Sequence, residues 1–177
     1  MEQSDHTSDG KGERRHLLAR LFAPRLNRWF LPRLAVVALL TYGFFGHVCL
    51  PAVTQGRSME PTYGDGQLLF CWCPKVWFGQ AQRGDVVMVR FAGNQVMLLK
   101  RVVALAGETV AFADGQLLVD GKPLDEPYVK TTCDWELEPR GVPPGHVYVI
   151  GDNRGTPIDT HLFGSVASNR IVGEPLW

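Results

Sequence analysis

The stretch from residue 95 to residue 121, QVMLLKRVVALAGETVAFADGQLLVDG, decides the fold class. Three apolar runs, 95–103, 109–113 and 116–119, are separated by Ala106-Gly107 and Asp114-Gly115 and closed by Asp120-Gly121. Aspartate-glycine pairs supply the positive φ angles of two-residue hairpin turns, so the pattern predicts one tight hairpin at Asp114-Gly115 and a second at Asp120-Gly121. Further out, runs rich in Val, Leu, Phe and Tyr recur at 67–72, 85–91 and 147–150, with Arg83-Gly84 and Ala92-Gly93-Asn94 as turn signals. No long helical periodicity and no internal repeat follow residue 53. The proline-rich segments 123–127 and 139–144 read as surface connections. The expectation is a mainly β fold, a small all-β domain over residues 54–177. Short strands of this kind fit a barrel or a pair of packed sheets, and both stay open.

Before that domain the composition changes. Residues 34–53, LAVVALLTYGFFGHVCLPAV, hold no Asp, Glu, Lys or Arg. Twenty residues at ~1.5 Å each reach ~30 Å, the thickness of a bilayer's hydrocarbon core. They are expected to form one N-terminal transmembrane helix, with Pro51, Gly43 and Gly46 tolerated near its end. A cleavable signal peptide is the competing explanation, but its apolar part would be shorter and would follow a shorter basic start. Residues 1–33 carry seven Lys/Arg against four Asp/Glu, and residues 54–177 eleven against fourteen, so a net charge of zero hides +3 against −3. The positive-inside bias then makes residues 1–33 a basic cytoplasmic tail and sends 54–177 across the membrane. The acidic balance of 54–177 gives no basic face for nucleic acid. The first ten residues are polar enough for disorder, and 16–30 suit either a short amphipathic helix on the membrane or a solvated linker. Phe70, Trp72, Trp77 and Phe78 are candidates for contact with the bilayer or for the core.

Of the four cysteines, Cys49 falls in the apolar span, while Cys71 and Cys73 sit two apart on a predicted strand and point to one face. A disulfide from either to Cys133 and inert buried thiols are the two readings, with the thiols favoured. No second cysteine or histidine pair completes a zinc site.

The chemistry gathers on Ser58, in Gly56-Arg57-Ser58-Met59-Glu60-Pro61-Thr62, and Lys100, in Leu98-Leu99-Lys100-Arg101-Val102-Val103. A serine hydroxyl attacks well only when a neighbour takes its proton, and a lysine can do so if burial keeps it neutral. Strand alternation puts Lys100 with Leu98 and Val102, and Arg101 with Leu99 and Val103. A lysine whose ammonium snorkels from a sheet edge is the bland alternative. After the apolar span, the serine block, Arg83-Gly84-Asp85-Val86-Val87, the lysine block and Gly151-Asp152-Asn153-Arg154 follow in that order. This arrangement resembles the type I signal peptidase family over residues 53–177.

The resemblance implies a membrane-anchored serine endopeptidase with Ser58 as nucleophile, Lys100 as general base and Met59 packed beside the serine. The backbone N–H of Ser58 would serve the oxyanion hole; Gly56 stands where a second, hydroxyl donor is common. Further along, the chain reads Gly155-Thr156-Pro157-Ile158-Asp159-Thr160-His161-Leu162-Phe163-Gly164. Pro157 replaces a serine that orients the lysine, and His161 replaces an arginine that pairs with the acid. Thr160 and Thr156 are therefore the expected partners of Lys100, and Asp159 the expected partner of Arg101. His161 also invites a serine–histidine mechanism, since histidine is the commonest general base.

The expected function is removal of signal peptides from exported preproteins after small residues, at a bacterial cytoplasmic membrane, with the lipid bilayer as a further partner. That chemistry calls for no metal or organic cofactor. A relative specialised for a pilus, conjugation or organelle inner-membrane substrate, and an inactive membrane-tethered domain that binds peptides, are the alternatives. Self-cleaving repressors use the same residue pair, but are soluble and bind DNA.

Overall fold

The computed structural model of the chain describes residues 28–73, 81–91 and 96–176. The expectations for residues 1–27, the turn at 92–94 and the aromatics Trp77 and Phe78 lie outside these. The described chain falls into two compact units divided between Tyr42 and Gly43.

The α-helix α1, Phe30–Gly43, lies in the first unit except for its last residue and buries none of its side chains. A π-helical turn over Phe44–Val48 continues it, and the combined Phe30–Val48 segment is long and apolar enough to cross a membrane. The expected boundaries, 34–53, need correcting at both ends. The last residues, Cys49–Val53, are strand β1, paired in register from Cys49 opposite Trp72 to Val53 opposite Leu68. An apolar run can continue a helix or fill an edge strand, and here partner residues on β2 settle it. Pro51 fits because β1 is the edge of its sheet, where a missing N–H costs nothing.

The second unit is built from antiparallel strands in two sheets. β2 spans Leu68–Trp72, β3 Val86–Phe91, β4 Val96–Ala104, β5 Thr109–Ala113, β6 Gln116–Val119, β7 Lys122–Pro123, β8 Leu137–Gly141, β9 His146–Ile150, β10 Gly164–Ala167 and β11 Ile171–Pro175. The seven-stranded sheet runs β1-β2-β11-β3-β4-β9-β10 and the four-stranded one β7-β6-β5-β8. Both hairpin turns form where expected: Asp114 and Gly115 take φ of 51° and 73°, Asp120 and Gly121 φ of 50° and 72°, each pair in the left-handed region such a turn requires. β8 contradicts the reading of 139–144 as pure connection, Pro139 being accommodated on the edge strand of the smaller sheet. β10 and β11 had no counterpart in the sequence reading.

β11 joins the two halves of the large sheet, pairing with β2 through Glu174 and Pro175 and with β3 through Ile171 and Gly173, with a bulge between the latter two. A Cβ on Gly173 would lie 2.5 Å from the Trp72 carbonyl oxygen, so only glycine allows the strands to meet. The largest apolar cluster gathers Val103, Val110, Phe112, Leu117, Trp135, Tyr148 and Ile150 from both sheets. A second holds Val87, Val89, Val102, Val147, Val149 and Ile171 around the base of β4. A third holds Cys71, Cys73, Met88 and Val172. All four cysteines are free thiols, and Cys49 belongs to β1, not to the helix. Burial, then the neighbouring Cys73, pushes the Cys71 thiol up to about 12, so it is inert at neutral pH.

Candidate active site

Ser58 sits in the turn after β1. Gly56, at φ 87°, opens the turn, and its N–H donates to Asp65 Oδ1 (2.8 Å). The Tyr63 N–H donates to the Met59 carbonyl (3.0 Å), Arg57 pairs with Glu60 (2.9 Å), and Met59 is buried beneath the turn. The Ser58 carbonyl accepts from the Asn153 N–H (3.0 Å), while Asn153 Nδ2 donates to the Arg57 carbonyl (3.0 Å). The loop after β9 thus clamps the serine turn on both sides. A Cβ on Gly151 would collide with the Ser58 carbonyl, so the two loops touch backbone to backbone.

Lys100 is 3% exposed, on the same strand as Val102 and opposite Val87 of β3. Burial lowers its pKa from 10.5 to about 8, against the opposing pull of the Asp152 carboxylate. This excludes the snorkelling alternative. Ser58, Met59 and Gly56 line a groove of about 300 Å3 whose other residues include Ala52, Val53 and Thr54 on one side and Met97, Leu98 and Leu99 of β4 on the other. β4 pairs with β9 only from Arg101 onward, so among the described residues its first half keeps one hydrogen-bonding edge open, as does β1.

Arg101 points away from Lys100, as alternation requires, but its partner differs from the expected one. Its guanidinium binds Asp152 with two nitrogens, Nε to Oδ1 at 2.8 Å and Nη2 to Oδ2 at 2.6 Å, donates from Nη1 to the Gly84 carbonyl (2.7 Å) and lies 3.9 Å from the centre of the Tyr128 ring. Asp152 is fully buried and also accepts from Thr62 Oγ1 (2.5 Å). Ile150 pairs with Arg101 across the β4–β9 ladder, which brings the carboxylate two residues later within reach. Asp159 lies exposed on a 3-10 turn, Ile158–Thr160, beyond Pro157. The expectation for Thr160 also fails, since its hydroxyl donates to the Pro157 carbonyl (2.8 Å) within that turn. Thr156 contacts the His161 imidazole at Nδ1 (3.0 Å).

His161 lies beside Lys100, the two lining one cavity of about 120 Å3. Burial, then the positive charges of Lys100 and Arg154, lowers the imidazole pKa from 6.5 to about 4. An imidazole that weakly basic is a poor proton acceptor, which disfavours the serine–histidine alternative.

The supporting residues that sequence reasoning left without a role are Asp152, Asn153 and Arg154. Buried Arg154 pairs with Glu126 (2.6 Å) and donates to the Gly151 carbonyl (2.7 Å). Their signal was the Gly151–Arg154 block itself, and Thr62 closes the serine block, but Glu126 is brought in from distant sequence and carried no local mark.

An antiparallel β domain, with an open groove past a tightly held serine turn and a buried lysine on the strand that forms the groove's far wall, defines the class: an all-β peptidase preceded by an apolar helix. The family model for signal peptidase, peptidase S26, matches residues 26–177, and the chain belongs to that family. It is 33% identical over 160 residues to signal peptidase I of Bacillus caldolyticus, covering 82% of this chain and 85% of that one. It is also 33% identical to signal peptidase I V of Bacillus subtilis, covering 82% and 94%. Among solved structures, a signal peptidase I from Enterococcus faecalis is similar at 28% identity and a TM-score of 0.44, covering 54% of this chain and 96% of that one.

Proposed function

We propose that the chain is a signal peptidase I that cuts translocated preproteins by acyl transfer, with Ser58 as nucleophile and Lys100 as general base. The observation that carries this is the burial of Lys100, which makes its amine available as a base near neutral pH. Ser58 Oγ adds to the scissile carbonyl while its proton passes to the Lys100 amine; that proton then goes to the leaving amine, and water releases the acyl group by the same route in reverse. Negative charge on the carbonyl oxygen is met by the Ser58 N–H, which makes no hydrogen bond among the described residues. The open edges of β1 and β4 suit an extended peptide that adds as a strand, with Gly56 permitting close approach and the groove admitting small side chains.

In this reading the Phe30–Val48 segment spans the bacterial cytoplasmic membrane, the basic N-terminus stays inside and the β unit works outside. The detergent-solubilised chain is expected to cleave a peptide with Ala at the first and third positions before the cut. Ser58→Ala and Lys100→Met are each expected to lose at least about 10^3-fold in kcat/KM, and full turnover by either would reject its assignment. Wild-type activity should rise with pH through about 8 and then level, as the amine loses its proton.

A further inference from the structure

With proline at 157 and the Thr160 hydroxyl committed to its own turn, the amine of Lys100 lacks the partners expected from the sequence. The neighbouring polar atom without one is His161 Nε2, which is buried and makes no hydrogen bond among the described residues. The ring that carries it is held in place. Nδ1 faces Thr156 Oγ1 at 3.0 Å, and the Trp135 ring lies edge-on at 4.9 Å between centres. The Trp135 indole N–H in turn donates to the Thr156 carbonyl (2.8 Å). A Cβ on Gly151 would press on both the Ser58 carbonyl and His161 Nε2, so the serine turn and the imidazole meet at one glycine, with Lys100 in the same cavity as the imidazole.

We propose that His161 is the positioning residue for Lys100: its Nδ1–H donates to Thr156 Oγ1, and its Nε2 accepts one N–H of the lysine amine. This rests on the serine–lysine reading above. A neutral amine has two N–H groups and one lone pair, and only the lone pair can take the serine proton. Tying one N–H to Nε2 limits rotation of the amine and leaves the lone pair for Ser58. When the amine becomes an ammonium, Nε2 is still an acceptor, so one hydrogen bond serves both states. The opposite tautomer would donate its Nε2–H to the lone pair of the neutral amine, occupying the base, and would set an N–H against the protons of the ammonium. Burial first, and then the cationic Lys100 from β4 and Arg154 from the loop after β9, keep His161 neutral, while Asp152 acts on Lys100. Lys100 and Nε2 are neighbours rather than bonded in this structure, and catalytic hydrogen bonds commonly tighten only in the substrate complex.

The test uses the full chain in detergent and the Ala-containing peptide, with kcat and KM measured from about pH 6 to about pH 10. His161→Phe should lower kcat about ten- to a hundredfold with KM within about twofold. His161→Gln, whose amide oxygen can accept, should recover most of that loss. Thr156→Val should act in the same direction and add nothing to His161→Phe in the double variant. 15N NMR of histidine-labelled wild type should show Nδ1 protonated and Nε2 bare, which decides the matter even if a variant fails to fold. A protonated Nε2, full kcat in His161→Phe, or a loss borne by KM would overturn the proposal. Inactive Ser58→Ala and Lys100→Met beside a fully active His161→Phe would sink this inference alone; activity in Lys100→Met would remove the dyad as well.

Discussion

Lys100 has a stabilising hydrocarbon stem and a head that burial penalises. The unfolded chain keeps the ammonium proton up to the ordinary lysine pKa, whereas the folded chain gives it up near pH 8. Between those values the unfolded state binds more protons, so stability rises with pH; below about 8 the whole penalty, of the order of 3 kcal/mol, is present. Lys100→Met should therefore raise the thermal midpoint at pH 7 and remove the rise between about pH 8 and about pH 10.4, readable by calorimetry across that range. The two aspartates of the terminal block make the opposite comparison. Asp152→Asn removes the fully buried carboxylate from its pair with the largely buried Arg101, so a loss of about 3 kcal/mol is expected in urea unfolding. Asp159→Asn, on an exposed turn, should stay within about 0.5 kcal/mol of wild type.

At the level of elements, what the sequence revealed depended on whether a segment carried its own turn chemistry. The β5–β6 hairpin and its successor were legible because Asp114-Gly115 and Asp120-Gly121 specify their turns locally. β1, β8 and β11 were not, because each is defined by a partner strand distant in sequence; all three contain a proline, which edge geometry forgives in β1 and β8 and which is the last residue of β11. The same division holds in the site. Ser58 and Lys100 stood out by their blocks, whereas the pairing of Arg101 with Asp152 is a consequence of β4–β9 register that no local pattern encodes. The contact between the β9 loop and the serine turn gives a direct test. Gly151→Ala should force the Ser58 carbonyl aside and reduce cleavage about a hundredfold, with far-UV circular dichroism unchanged. Unaltered kinetics would mean that the two loops are not in contact.

Over the whole molecule, aromatic rings support the charged pairs of the site: Arg154 lies against Phe112 and Trp135 of the largest apolar cluster, and Arg101 against Tyr128. The route from helix to groove is equally direct. Val48 closes the π-turn, and Ala52, four residues on, already lines the groove. At ~3.3 Å per residue, that wall of the groove lies no more than about 13 Å from the helix end. A six-residue Gly-Ser insertion after Val48 should leave peptide cleavage in detergent unchanged, while mass spectrometry of a preprotein cut in vesicles should show a broader set of new N-termini. If the segment anchors the chain as proposed above, so short a leash makes altitude above the lipid a second criterion beside side-chain size: an acceptable Ala-x-Ala segment held too far from the bilayer would pass uncut.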